Sequence, residues 1–181
     1  MPTKPASASL ATVVFLLGVS GCTMQLRDSS PIPEELGAIT TDCGRRVPYG
    51  LCSSTARLID SLAGQKQKSD RPVYQLLITD YSEKEKAVSV NPDASTAQYR
   101  VTATAVFQLR RNGQVLTEKS VSQKSTYYHD ATRVLGKERE KQKITRNLND
   151  RIAHEIPYLL APFNKARIQR ILKVLAQAKQ Q

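Results

Sequence analysis

"STAQYRVTATAVFQLRRNGQ", residues 95–114, decides the fold. From Thr96 onward its side chains alternate. Tyr99, Val101, Ala103, Ala105, Phe107 and Leu109 fall on one side. Arg100, Thr102, Thr104, Gln108 and Arg110 fall on the other, with Val106 as the exception. A period of two marks a strand with one face on a core and the other toward water. Asn112-Gly113 follows, and that pair suits the positive-φ positions of a tight hairpin turn. The passage is therefore one arm of a hairpin, over 96–110, and its partner arm runs over 115–128. The partner is much more polar. A two-residue turn sets Leu116 opposite Leu109 but Glu118 opposite Phe107. Either a bulge shifts the register or the second arm is a sheet edge, and the pattern leaves both open.

Upstream, residues 73–90 predict another strand. Both alternating sets, Val73/Gln75/Leu77/Thr79/Tyr81 and Tyr74/Leu76/Ile78/Asp80, hold apolar residues. The strand is therefore expected to be covered on part of both faces. Asn91-Pro92-Asp93 reads as the turn into the central strand. Earlier still, a short strand is expected over 36–41 and a loop over 42–50. A helix is expected over 54–65, where Leu51, Thr55, Leu58, Ile59 and Leu62 follow helical spacing. Ser53, Ser54 and Thr55 are its candidate caps.

Downstream, Ile144, Leu148, Ile152 and Ile156 recur every four residues. They predict a long amphipathic helix over 132–156, capped at Asp130 and broken or kinked at Pro157. Beyond Pro162, Ile168, Ile171, Leu172 and Leu175 form an apolar side among Lys165, Arg167, Arg170 and Lys173. This stretch is either a docked helix or a tail that folds on a partner. The element order predicts an α+β fold, a two-layer sandwich of two main helices on a small, about four-stranded mixed sheet.

The chain has 181 residues, no Trp, 40% hydrophobic residues and a formal net charge of +11. The core must be mostly aliphatic, and the charge calls for an anionic partner. The N-terminus sets the compartment. Residues 10–19 are almost wholly apolar, a run about half as long as a bilayer core requires, which suits a signal peptide better than a membrane span. Val19-Ser20-Gly21-Cys22 then resembles a bacterial lipobox, in which the cysteine becomes the first mature residue and is acylated. Two or three acyl chains hold a protein on a membrane durably, where one does not. Thr23, not an acidic residue, follows Cys22, which by analogy implies delivery to the outer membrane.

Cleavage before Cys22 removes only Lys4 among charged residues, so 26 of the 27 basic residues remain against 16 acids, net +10. In an exported protein this charge points to anionic lipid headgroups, with no nucleic acid as partner. With Cys22 taken as the lipid anchor, Cys43 and Cys52 remain, and an oxidising compartment favours a structural disulfide between them. The organisation is then a signal peptide over 1–21, a tether over 22–34, an α+β domain over 35–160 and a basic amphipathic tail over 161–181.

Catalytic signatures are missing. His129 and His154 lack metal-ligand spacing, and no G-x-S-x-G, Walker A or G-x-G-x-x-G motif occurs. We expect no enzyme, no metal and no cofactor.

Three stretches resemble the LptE family of lipopolysaccharide-assembly lipoproteins: "CTMQLRD" at 22–28, "STAQYRVTATAVFQLRRNGQ" at 95–114 and "SVSQKSTYYHDATRVLGKEREKQ" at 120–142. The resemblance runs through most of residues 22–160. It implies a non-catalytic outer-membrane lipoprotein that plugs the LptD β-barrel, assists its assembly and binds lipopolysaccharide. It places a lipopolysaccharide-contacting lysine at Lys137, with Tyr127 and Tyr128 as an aromatic pair upstream; Lys141 is a further candidate contact. The family's basic residue in the turn before the central strand has no counterpart, since Asn91-Pro92-Asp93 fills that turn; Arg100 or Lys86 is the candidate substitute. A free-standing periplasmic lipid-binding or envelope-maintenance lipoprotein, without a barrel, is the competing reading.

Overall fold

The computed structural model describes residues 30–63, 74–90, 96–130 and 134–178. The expected signal peptide over 1–21, Cys22, most of the expected tether and the expected turn at 91–93 lie outside the described residues, as do residues 131–133 beside the expected Asp130 cap. After a short 3-10 turn at Glu34–Leu36, the chain forms β1 (Ile39–Cys43), α1 (Tyr49–Ala63), β2 (Tyr74–Val90), β3 (Thr96–Arg111), β4 (Gln114–Asp130), α2 (Val134–Leu160) and α3 (Lys165–Ala178). The sheet order is β1-β2-β3-β4. β1 runs parallel to β2, with α1 as the crossover, and the other pairings are antiparallel. This is the expected α+β fold, with helices packed against a four-stranded mixed sheet.

β3 organises the core. Val101, Ala103, Ala105, Phe107 and Leu109 are all fully buried. Opposite them lie Leu51 and Ile59 of α1 and Leu148, Ile152, Ile156 and Leu160 of α2, equally buried and in the same cluster. Small residues at 103 and 105 leave room for a helix to approach, and Phe107 fills the space beyond them. The stretch after Pro162 is a docked helix: Phe163 and Ile168 join the same core.

The hairpin turn forms at Asn112 and Gly113, with φ of 50° and 77°. Both of the alternatives for its second arm hold. β4 is an edge, and its register shifts beside Leu109, after Arg110↔Val115, so that Ala105 faces Val121 and Tyr99 faces Tyr127. Without that shift, Val121 would lie opposite Thr104, and it and Tyr127 would turn to the other side. With it, Leu116, Val121 and Tyr127 are all buried.

β2 corrects the expectation of a strand covered on both faces. Its pairing slips between Ile78 and Asp80, inserting Thr79 as a bulge. Tyr74, Leu76 and Ile78 are buried before the slip, and Tyr81, Glu83 and Glu85 take over the same face after it. Tyr81 of one apolar set thus joins Tyr74, Leu76 and Ile78 of the other on a single face, while Leu77 stays half-buried on the opposite one. Gly44 sits on this bulge: its N–H donates to the Ile78 carbonyl at 2.8 Å, and a Cβ there would lie 2.7 Å from the Thr79 carbonyl oxygen.

Other boundaries moved for local reasons. β1 starts at Ile39, because Leu36 belongs to the preceding turn. α1 starts at Tyr49, five residues early, because the Pro48 carbonyl accepts the Cys52 N–H at 3.1 Å and so opens the helix. The expected caps are therefore interior, with Ser53 and Thr55 bonding back to the Gly50 and Leu51 carbonyls. α2 runs through Pro157 to Leu160 instead of breaking there. A proline in the last turn removes one intrahelical bond only, and Ile156 and Leu160 on either side are held in the core.

Cys43 and Cys52 form a disulfide between the end of β1 and the first turn of α1. Two stability outcomes are expected in urea titrations. Replacing both cysteines by serine should lower stability by about 2.5 kcal/mol, the chain-entropy value for so short a loop. Gly44→Ala should cost about 1–3 kcal/mol, because the obstructing atom is backbone.

Candidate functional site

The i, i+4 stripe that buries α2 does not stop at Leu148. After a step of three residues to Thr145 it continues toward the N-terminus at spacing four as Lys141 and Lys137. On the sheet, the bulge at Thr79 has turned Glu83 and Glu85 to the same interface. The apolar core thus grades into a charged one. The Lys141 Nζ lies 2.7 Å from Glu85 Oε2, and the Thr145 hydroxyl donates to Glu83 at 2.9 Å. From β4 the buried Tyr127 hydroxyl donates to the other oxygen of Glu85.

Above this network sits Lys137. Its ammonium is 4.5 Å from the centroid of the Tyr99 ring, and Tyr99 stacks on Tyr127 at 5.5 Å with 21° between planes. β3 and β4 thus supply a two-ring platform, and α2 lays a half-exposed cation across it. Burial tends to raise the Glu85 pKa, but hydrogen bonds from Lys141 and Tyr127 and the nearby Lys137 charge outweigh it and hold the carboxyl below its ordinary range. Lys141 is raised, first by its hydrogen bond to Glu85. Burial and the Glu85 contact raise the Tyr127 phenol, and burial with Glu83 pushes Tyr81 up to about 12.

The structure brings Lys137 and Lys141 together at this platform and leaves Arg100 out. Tyr99 and Val101 point to the helices, so Arg100 between them points to the opposite face, where its cross-strand neighbours are Lys86 and Thr126. Alternation also separates the tyrosine pair: Tyr127 is buried, whereas Tyr128 is 67% exposed with its hydroxyl accepting from Gln98. Glu83, Glu85 and Thr145 were missed in the sequence. The stripe on α2 held the signal for Thr145, but Glu83 and Glu85 read as solvent charges until the bulge is known.

Elsewhere the surface offers shallow grooves. One of about 470 Å³ is lined by Gln123, Asp150, Arg151, His154, Glu155 and Tyr158, well apart from Lys137 in sequence and on α2. His154 is exposed there, its Nδ1 2.7 Å from the Asp150 carbonyl. Among the described residues, no three His, Cys, Asp or Glu side chains converge as a metal site would require.

Residues 54–157 match the family model described as LptE, lipopolysaccharide-assembly. The chain belongs to the LptE family. Its role accordingly lies in lipopolysaccharide assembly. Among curated relatives, the LPS-assembly lipoprotein LptE of Pectobacterium atrosepticum is 25% identical over 161 residues, 86% of each chain. A minor lipoprotein from Acinetobacter baumannii shares the fold, with a TM-score of 0.56 at 15% identity over 70% of this chain and 92% of that one. An uncharacterized lipoprotein B from Nitrosomonas europaea does so too, with a TM-score of 0.53 at 14% identity over 81% and 95%. The family match covers β2 to α2, the elements that build the platform.

The Glu85 network makes stability depend on pH in a defined direction. A carboxyl held low in the folded state contributes stability above its unfolded pKa and loses it as pH falls through the folded value. At pH 7, Glu85→Gln should therefore be less stable than the parent by about 1 kcal/mol, the value for a charge-assisted bond reduced by Glu85's exposure to solvent. The difference should shrink as pH drops below about 4.3, the ordinary carboxyl value. Urea midpoints measured from pH 7 to pH 3 check this.

Proposed function

We propose that this chain is an outer-membrane lipoprotein, anchored through acylated Cys22, that plugs and assists assembly of an LptD β-barrel and binds lipopolysaccharide during its delivery to the cell surface. The observation that carries the ligand part is the Lys137 ammonium held over the Tyr99–Tyr127 stack, with Lys141 one turn away. Lipid A presents phosphates. A lysine meets them as a compact, strongly hydrated charge with three donors. The Tyr99 ring holds the Lys137 ammonium over its face without neutralising it, so the charge remains available to a ligand.

The barrel part draws on family membership and on the shape of the sheet. β2, β3 and β4 are 17, 16 and 17 residues long, or roughly 55 Å at strand rise. α2, at 27 residues, covers only about 40 Å. The even-numbered face of β3 carries no buried residue among those described. Instead it is laced by polar contacts such as Thr104–Ser122 at 2.9 Å and Gln108–Glu118 at 2.5 Å. A hydrogen-bonded, polar sheet face stays soluble alone and suits a partner whose lining is polar. The lumen of a large outer-membrane barrel is such a lining. The basic cluster of Arg100 and Lys86 lies on this face, so its role there is toward the barrel or a ligand passing through it.

Two measurements test the reading. The chain lacking Cys22 should co-purify with an LptD-like barrel; if it captures lipopolysaccharide but no barrel, the free-standing lipid-binding lipoprotein takes its place. Lys137→Asp should weaken lipopolysaccharide binding at least tenfold while leaving the urea midpoint within the range of surface substitutions, about 0.5 kcal/mol. Unchanged affinity would remove Lys137 from the site.

A further inference from the structure

We infer that Glu85 is a built-in competitor for the ligand: it holds Lys141 as an internal counter-anion and thereby sets how weakly, and how reversibly, the Lys137–Lys141 site captures a lipid phosphate. The inference rests on the reading of Lys137 as the phosphate contact and adds a residue that touches no ligand in that reading.

The geometry is specific. Glu85 uses both carboxylate oxygens inward, Oε2 toward Lys141 at 2.7 Å and Oε1 toward the Tyr127 hydroxyl. Tyr127 is itself pinned, buried and stacked on Tyr99. The carboxylate is thus fixed in orientation, while the lysine it holds keeps a flexible four-carbon stem and about a third of its side-chain surface in solvent. Of the two partners, Lys141 is the one free to swing away. Lys137 stands one helical turn from Lys141, with its ammonium on the ring that backs the same network. A phosphate arriving at Lys137 therefore finds a second cation within reach, already occupied by an anion of the protein.

To recruit Lys141, the phosphate must take it from Glu85. The exchange swaps one charge-assisted contact for another, so the second lysine adds little net affinity. The displaced Glu85 then faces the bound phosphate as a like charge. Both effects weaken capture. Departure is eased by the same contact, because Glu85 is positioned to reclaim Lys141 as the ligand leaves. For a protein that receives a lipid and passes it on, an open pair of lysines would hold too long. An acid at this position converts a binding site into a relay.

The test is a double-mutant cycle on the full chain, read by binding of purified lipopolysaccharide and by its dissociation rate. Glu85→Gln is isosteric and keeps an acceptor for Tyr127, so the fold is retained, as a thermal melt will show. It should tighten lipopolysaccharide binding about fivefold and slow dissociation by a similar factor, the equivalent of about 1 kcal/mol for one released ion pair. Lys141→Gln should weaken binding in the parent chain, where it removes a cation and leaves Glu85 unpaired beside the phosphate, and should abolish the gain in the Glu85→Gln background. If Glu85→Gln leaves affinity unchanged or lowers it, while Lys137→Gln weakens binding, the competitor role falls and the ligand site stands. If the gain survives Lys141→Gln, the effect is one of net charge and the inference is overturned. If Lys137→Gln has no effect on binding, the parent reading of the site fails, and this inference falls with it.

Discussion

One face of one strand constrains everything else. Val101, Ala103, Ala105, Phe107 and Leu109 present a continuous apolar ribbon that must be covered. A strand offers such a ribbon to one side only, so the cover has to come as a layer. α1 and α2 provide it, β2 and β4 widen it, and Phe163, with Ile168 in the first turn of α3, closes one margin. The short parallel strand β1 is the exception, since it gains little from β3 directly. It is held by β2, by the Gly44 contact to the bulge and by the disulfide to α1.

Function begins where that cover changes character. The same face of α2 that is apolar at Ile156 and Leu148 is cationic at Lys141 and Lys137. The same face of β2 that is apolar at Leu76 and Ile78 is acidic at Glu83 and Glu85. The opposing gradients meet in register. This lets helix and sheet stay packed after hydrophobic burial has run out, and it delivers two lysines and two tyrosines to the end of the domain. On the reading proposed above, the polar network that packs the helix and the cationic site for a phosphate would be the same atoms in two roles. The low carboxyl of Glu85 and the raised ammonium of Lys141 are the electrostatic trace of that network.

Much of this was legible in the residues. The alternation from Tyr99 to Leu109, the Asn112-Gly113 turn and the i, i+4 isoleucines of α2 each follow a single period over many residues, and each led to the correct element. Lys137 came from resemblance, not from pattern. What escaped were breaks in period. Thr79 interrupts the alternation of β2, and an interrupted alternation looks like apolar residues on both sides. Pro157 looked like a stop because its neighbours' burial was invisible. In each case a tertiary contact overrode a local rule, and the sequence carried no local mark of that contact.

The bulges also determine what kinds of genetic change the sheet can absorb. Along β2 the identity of an exposed residue such as Ser82 or Lys84 is of little consequence, but the number of residues between Ile78 and Glu85 is not. Gain of one codon there, with the bulge kept, would send every later side chain to the other face, Glu83 and Glu85 outward and Ser82 and Lys84 in. The same holds between Val115 and Tyr127 on β4. Homologous sheets descended from such an ancestor should drift freely in composition while keeping strand length, with insertions and deletions collecting in the connections. Counting residues between landmarks would then align distant relatives here better than matching letters.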